Sequence, residues 1–286
     1  MAALYLFLAT AFVIFQSVFR KIDASSKKGN APFLFNSVFA LCSGTVFLVS
    51  SGFKIELPDG SLIYLPLMII TYIGALLFAY MAVKTGPLSL TSITSSLGLL
   101  IPILYGIIAY KESPGIPFII GLLLLSICIV FVSGEKKSDY QRVNLKWAIF
   151  NTLSIVFGGS FSTVQNVVGR VFVGKSNSGI MTVTLLSSAV AFFVISIIFE
   201  RKDIKERFKS GVFYMAGAGI CNGSSNLFVM LVIPLMSASI LYPVMSVSSL
   251  ITTLMISTFA FKERLSKKQW IGIAIGVISA LLMNLK

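Results

Sequence analysis

The chain has 286 residues, of which 56% are hydrophobic and only 12% are charged, and its mean hydropathy is +0.94. A soluble domain of this length would carry far more charge, so the composition excludes an ordinary soluble protein and indicates an integral membrane protein. The formal net charge of +13 could suggest nucleic-acid binding, but the basic residues lie in short segments between apolar runs. That pattern is typical of topology signals, and no nucleic-acid partner is expected.

Ten apolar runs follow one another along the chain, each long enough to cross about 30 Å of hydrocarbon as a helix. The predicted spans are residues 2–19, 32–50, 62–83, 88–110, 116–133, 145–168, 179–199, 212–233, 237–261 and 268–285. Basic residues follow the first run and none precedes it, which is the reverse of a cleavable signal peptide. We therefore interpret the first run as a transmembrane helix.

The Lys and Arg residues are distributed unequally between the two sides of the predicted membrane. Of the 23, 18 lie in the connections that follow the odd-numbered spans and five lie on the other side. Basic residues collect on the cytosolic side of membrane proteins. The count predicts cytosolic connections at residues 20–28, 135–146, 200–209 and 262–268, and it places both termini outside the cytosol.

One stretch of the sequence occurs twice. Residues 90–127 align without a gap with residues 241–278, and Gln16 and Gln165 occupy equivalent places at an offset of 149. Five spans per copy is an odd number, so the second copy must enter the membrane from the opposite face. We predict an all-α integral membrane fold of ten transmembrane helices in two inverted five-helix repeats. Residues 1–134 form the first repeat, residues 135–144 the linker and residues 145–286 the second repeat.

Each half of the chain carries several short motifs. The first half has residues 82–87 (Ala-Val-Lys-Thr-Gly-Pro) and Tyr110-Lys111-Glu112, and the second has Tyr242-Pro243, residues 261–266, Gln269 and Ile271-Gly272. With these motifs the chain resembles the drug/metabolite transporter superfamily, in its ten-helix EamA-like group. The resemblance implies a 5+5 bundle with a central cavity, alternating access, and often export of amino acids or other small metabolites. Many members have cytosolic termini, and the charge count here departs from that habit.

Span nine carries a polar stripe at helical spacing, formed by Ser239, Tyr242, Ser246, Ser249, Thr253 and Ser257. The aligned positions in span four are also small or polar and include Thr91 and Ser95. Two interpretations stay open, because such stripes either line a substrate path or pack helices closely. On the first interpretation, the predicted substrate-binding residues of the stripes are Tyr242, Ser246, Ser249, Thr91 and Ser95.

Amide side chains inside the apolar runs form a second candidate set. Asn222 and Asn226 share one face of span eight, and Gln16 and Gln165 lie in spans one and six. An amide that faced lipid would leave hydrogen-bonding groups unsatisfied, so these four must face protein or water. We predict that they bind substrate, and inter-helix hydrogen bonding is the alternative.

No Asp or Glu residue lies in the middle of any predicted span, and the chain has no histidine. No catalytic set, metal site or cofactor is therefore predicted. Glu112 and Glu263 lie at helix ends beside lysines, where we predict a gating role. An anionic substrate requires a basic residue, and Lys84 and Arg20 are the two candidates near the predicted spans, so a neutral or zwitterionic solute fits best by elimination.

Together these features predict a secondary transporter that moves a small polar, amino-acid-like metabolite by alternating access, as an exporter and not an enzyme. The expected location is the plasma (cytoplasmic, inner) membrane, crossed several times, with the substrate and membrane lipid as partners. The alternatives are a non-transporting membrane scaffold or receptor and an integral-membrane lipid-modifying enzyme. A GxxxG pair, Gly272 and Gly276, leaves a monomer and a homodimer open.

Overall fold

The structure is a computed structural model that describes residues 1–25, 31–85, 98, 100–111, 115–133, 145–172, 177–245 and 267–283. Regular structure in these ranges is helical. We number the helices α1 (Ala2–Ser25), α2 (Pro32–Ser50), α3 (Tyr64–Thr85), α4 (Leu100–Ala109), α5 (Ile116–Ser133), α6 (Leu145–Val171), α7 (Ser178–Phe199), α8 (Ile204–Val232) and α9 (Lys267–Met283). A 3₁₀ turn, Ser61–Ile63, precedes α3, and residues 238–245 are also helical.

Six helices in the described part of the chain are long and apolar enough to cross a membrane. They are α1 as far as Arg20, Ser61–Ala82, α2, α6, α7 and α8, and they correspond to predicted spans one to three and six to eight. The other predicted spans are four, five, nine and ten. Span five matches α5, whereas spans four, nine and ten extend into residues outside the described ranges. The count of ten helices thus stays a prediction.

Helices α1 and α8 extend furthest beyond their predicted bounds into charged sequence. Helix α1 continues to Ser25, and α8 begins at Ile204, eight residues before the predicted start of span eight. The predicted connection at residues 200–209 is therefore partly helical. The reason is that the charge there is paired, because Arg207 of α8 forms an ion pair with Asp23 of α1. A hydropathy criterion ends a span at such residues, whereas a neutralised pair lets both helices continue.

The described helices form two compact units. The first unit comprises residues 1–73 and 164–235. In it, α1 packs against α8, and α2 packs against both α7 and α8. Helices α1 and α8 run antiparallel, because their contacts follow opposite orders in the pairs Ala9–Ser225, Gln16–Asn222 and Asp23–Arg207. Helices α2 and α7 also run antiparallel, as the pairs Phe33–Phe199, Ser37–Ala189 and Gly44–Leu186 show.

Glycines allow α2 and α8 to approach closely. A Cβ atom added to Gly219 would lie 2.5 Å from the backbone oxygen of Phe39, and one added to Gly223 would lie 2.7 Å from the oxygen of Ser43. Neither neighbour is a flexible side chain, so a larger residue would force the backbones apart. The close approach brings the hydroxyl of Ser43 within 2.8 Å of the Gly219 carbonyl oxygen. Small residues therefore set the distance between these two helices.

The second unit comprises residues 74–163 and 236–286. In it, α5 packs against α9, where Ser279 Oγ donates to the Gly121 oxygen at 2.7 Å and Cys128 lies against the Gly276 backbone. The order of these contacts makes α5 and α9 antiparallel. The GxxxG pair therefore lies on the face of α9 that packs within this unit. Each compact unit contains segments of both predicted repeats, and the division into two repeats stays a prediction about the sequence.

Candidate substrate site

Four amide side chains predicted from the sequence meet around α8 in the first unit. Asn222 Nδ2 donates to Gln16 Oε1 at 3.3 Å, and Ser43 Oγ lies 3.1 Å from Asn222 Oδ1. Gln165 Nε2 donates to Asn226 Oδ1 at 3.0 Å, and Asn226 Nδ2 donates to the backbone oxygen of Asn222 at 3.0 Å. Gln16, Gln165, Asn222 and Asn226 therefore form one hydrogen-bonded group, which we call the amide cluster.

Local geometry explains how the amide cluster assembles. Asn222 and Asn226 are four residues apart on α8, so their side chains lie on the same face of the helix. Gln165 is almost fully buried, with 3% of its surface exposed, whereas the other three amides are partly exposed. Within the described part of the chain, the hydrogen bonds of the cluster leave Gln16 Nε2 and Gln165 Oε1 unused. The cluster can offer a further solute the donor group Gln16 Nε2 and the acceptor atom Gln165 Oε1.

Tyr242 belongs to the second unit, whereas the amide cluster belongs to the first. Its side chain is 5% exposed, and its hydroxyl donates to the Ser162 backbone oxygen at 2.8 Å. Tyr242 therefore joins its helical segment to α6. The other predicted substrate-binding residues of the stripes and the predicted gating residues lie outside the described residues, namely Ser246, Ser249, Thr91, Ser95, Glu112 and Glu263.

A buried ion pair joins α8 to α1 nearer the N-terminus of α8 than the amide cluster. Arg207 Nη2 donates to Asp23 Oδ2, and the two side chains are each only 6% exposed. Burial raises the pKa of Asp23, and the positive charge of Arg207 acts in the opposite direction. The pair therefore links the end of α1 to the start of α8. Sequence analysis counted Arg207 only as a loop charge, did not consider Asp23 and missed the pairing.

Glu200 caps a helix that is distant in sequence. Its two carboxylate oxygens accept hydrogen bonds from the backbone N–H groups of Phe33 and Leu34 and from Ser196 Oγ, each at 2.9 Å. Those N–H groups belong to the first turn of α2, where the preceding Ala31 provides no side-chain cap. The negative charge of Glu200 also lies at the positive end of the α2 dipole, where it stabilises the helix. Ala31 and Pro32, at the start of α2, cannot cap the helix with their side chains. Such a start is a sequence signal that a residue distant in sequence provides the cap.

Among the residues that the structure describes, no group of three or more His, Cys, Asp or Glu side chains could hold a metal ion. Residues 147–285 match the model of the EamA-like transporter family. This part of the chain belongs to that family. EamA-like proteins are part of the drug/metabolite transporter superfamily, so the resemblance stated from the sequence is confirmed. No curated protein matches the chain.

One solved crystal structure is similar to the chain over 98% of each, with a TM-score of 0.78 and 15% sequence identity. At that identity the likeness concerns the fold alone. The EamA-like match and the membrane-capable helices together identify a multi-pass membrane protein of the transporter type. The match includes Gln165, Asn222 and Asn226 of the amide cluster, whereas Gln16 precedes it.

Proposed function

We propose that the protein is a secondary transporter that moves a small polar, neutral or zwitterionic, amino-acid-like metabolite by alternating access. In this proposal it exports the solute across the plasma membrane, and the amide cluster lies on the substrate path. The observation that carries the proposal is the convergence of Gln16 and Gln165 on two asparagines of one helix. The family of residues 147–285 supports the same class of function.

Helix directions support an inverted duplication. The predicted repeats make α2 equivalent to α7 and α5 equivalent to α9. In each of these pairs the two helices touch and run antiparallel. Two copies inserted in the same orientation would have parallel equivalent helices, whereas copies inserted from opposite faces have antiparallel ones. Inverted repeats of this kind are typical of secondary transporters that work by alternating access.

The position of the two glutamines supports a site at the middle of the membrane. Gln16 and Gln165 are equivalent in the two predicted copies, and residues related by a two-fold axis come close together only near that axis. They contact Asn222 and Asn226, which are one helical turn apart. In inverted-repeat transporters the axis lies in the membrane plane, and substrates bind near it at the midplane.

The chemistry of the cluster suits an uncharged or zwitterionic solute. Amides provide both donors and acceptors without formal charge, and placing four of them within apolar helices is unfavourable unless their hydrogen bonds are made. The alternative is that the amides only hold the bundle together. In that case the protein would fit a scaffold or receptor, and the unused Gln16 Nε2 and Gln165 Oε1 would have no role.

The proposal is tested by solute flux in proteoliposomes that contain the purified full chain. We expect saturable flux of at least one solute from a panel of radiolabelled amino acids and small polar metabolites. The same solute should raise the melting temperature of the protein in detergent. If no solute of the panel moves faster than in protein-free liposomes and none raises the melting temperature, the transporter proposal is wrong.

A further inference from the structure

A cation lies one helical turn from the amide cluster. Arg20 follows Gln16 by four residues on α1, which separates the two side chains by about 6 Å along the helix. The Arg20 guanidinium carbon is 4.5 Å from the centre of the Phe39 ring and 5.8 Å from that of Phe35. Tyr72 of α3, which is 5% exposed, lies near it. Arg20 therefore lies within the first unit, against α2 and α3.

The surroundings of Arg20 contain no matching negative charge. Within the described part of the chain no carboxylate forms an ion pair with it, and its buried Nε atom has no hydrogen-bond partner. The nearby carboxylate on the same helix, Asp23, is bound to Arg207 of α8. Stacking on aromatic rings compensates for only part of the loss of hydration of a guanidinium. In the first unit Arg207 thus has a carboxylate partner, whereas Arg20 has none among the residues that the structure describes.

The geometry of Arg20 suits a planar anion. A guanidinium stacked on a ring by its face keeps its N–H groups at the edge, where they can bind both oxygens of a carboxylate. Gln16 Nε2, which the amide cluster leaves unused, offers another donor on the same helix face. Gln165 Oε1 offers an acceptor on the other side of the cluster. The donors of Arg20 and Gln16 can bind the carboxylate of an α-amino acid, and the acceptor of Gln165 can bind its ammonium group.

We propose that Arg20 and Gln16 form a carboxylate-binding subsite and that the substrate is therefore a small α-amino acid. The inference rests on the proposed transport function, because it names the substrate class of the same site. The guanidinium supplies the counter-charge for the carboxylate, and the uncharged amides of α8 and α6 surround the polar backbone of the solute. A substrate carboxylate would neutralise the charge of Arg20, whereas a solute without a carboxylate would not.

The test compares α-amino acids with their carboxamides, which keep the ammonium group and lose the anion. Thermal stabilisation in detergent and flux in neutral phosphatidylcholine liposomes are measured for the wild type, Arg20→Met, Arg20→Lys and the exposed control Arg201→Met. We expect the acids, and not the amides, to stabilise and cross with the wild type and the control. Arg20→Met should weaken binding of the acids about 30-fold or more. Arg20→Lys keeps the positive charge but loses the planar guanidinium that binds both carboxylate oxygens, so it should weaken binding of the acids less than Arg20→Met does. This variant also tests whether the fold tolerates a different cation at position 20.

The outcomes separate the inference from the function on which it rests. Stabilisation by acids that Arg20→Met abolishes, without flux in any protein, supports the subsite and contradicts transport. Equal flux of acids and amides, or acid binding that is unchanged in both Arg20 variants, overturns the subsite and leaves transport standing. If Arg20→Met loses acid binding or flux only when anionic phosphatidylglycerol is present, the ligand of Arg20 is a lipid phosphate. This result also overturns the carboxylate subsite. If acids neither bind nor move, the inference is wrong.

Discussion

The cap that Glu200 supplies to α2 allows a quantitative prediction. Replacement by alanine removes the acceptors of two backbone N–H groups and one hydroxyl, all at 2.9 Å. Water cannot readily replace them, because Glu200 is 7% exposed, Phe33 7% and Leu34 2%. Each buried donor left without a partner costs about 1–3 kcal/mol, and loss of a helix cap costs about 0.5–2 kcal/mol. These effects overlap, so we expect Glu200→Ala to lower the free energy of unfolding by about 3 kcal/mol.

The assay is equilibrium unfolding in mixed detergent micelles. Glu200→Gln retains one acceptor oxygen and loses the charge, so its effect should lie near half of that, about 1.5 kcal/mol. Glu206 is exposed in the first turn of α8 and provides the control, for which Glu206→Ala should change stability by less than about 1 kcal/mol. A Glu200→Ala protein as stable as the control variant would refute the assignment of Glu200 as the cap of α2.

Two further predictions concern packing and topology. Gly219→Ala should destabilise the protein by about 1–3 kcal/mol, because its Cβ would meet the Phe39 backbone, whereas Gly158→Ala, whose nearest contact would be 3.9 Å away, should be tolerated. Equal melting temperatures of the two variants would contradict the close approach of α2 and α8. In a chain without its native cysteines, single cysteines in the predicted cytosolic connections should resist an impermeant thiol reagent in intact cells and react after permeabilisation. Labelling in intact cells would reverse the predicted orientation, and the positions are Lys28→Cys, Lys137→Cys and Lys205→Cys.

Sequence reasoning succeeded where a single physical requirement acts on each residue separately. An amide inside an apolar run has to find a hydrogen-bonding partner wherever the chain folds, and this requirement predicted that Gln16, Gln165, Asn222 and Asn226 avoid lipid. It did not predict that the four would bond to one another, because the sequence does not say which helices are neighbours. The bounds of α2 and α7 followed from hydropathy, since uncharged apolar sequence fills both helices from end to end.

The charged residues near the membrane ends show where sequence reasoning stops. Asp23 and Arg207 are 184 residues apart, and Glu200 and Phe33 are 167 residues apart. Hydropathy treats such residues as loop charges, although in the fold they extend α1 and α8 and cap α2. Tyr242 was predicted to bind substrate as part of the polar stripe of span nine. The structure gives its hydroxyl a backbone partner, so Tyr242→Phe tests a role in binding with less disturbance of packing than Tyr242→Ala.

Substrate counterflow tests whether the amide cluster lies on the transport path. Proteoliposomes loaded with the unlabelled solute that the flux panel identifies are diluted into the labelled solute, and its initial uptake is measured for the wild type, Asn226→Ala and Ser188→Ala. Ser188 is a buried control, because its hydroxyl bonds only to the Thr184 carbonyl of its own helix. We predict that Asn226→Ala abolishes counterflow at a melting temperature near that of the wild type, while Ser188→Ala retains it. Wild-type counterflow by Asn226→Ala would show that the amides hold the helices together and do not bind the substrate.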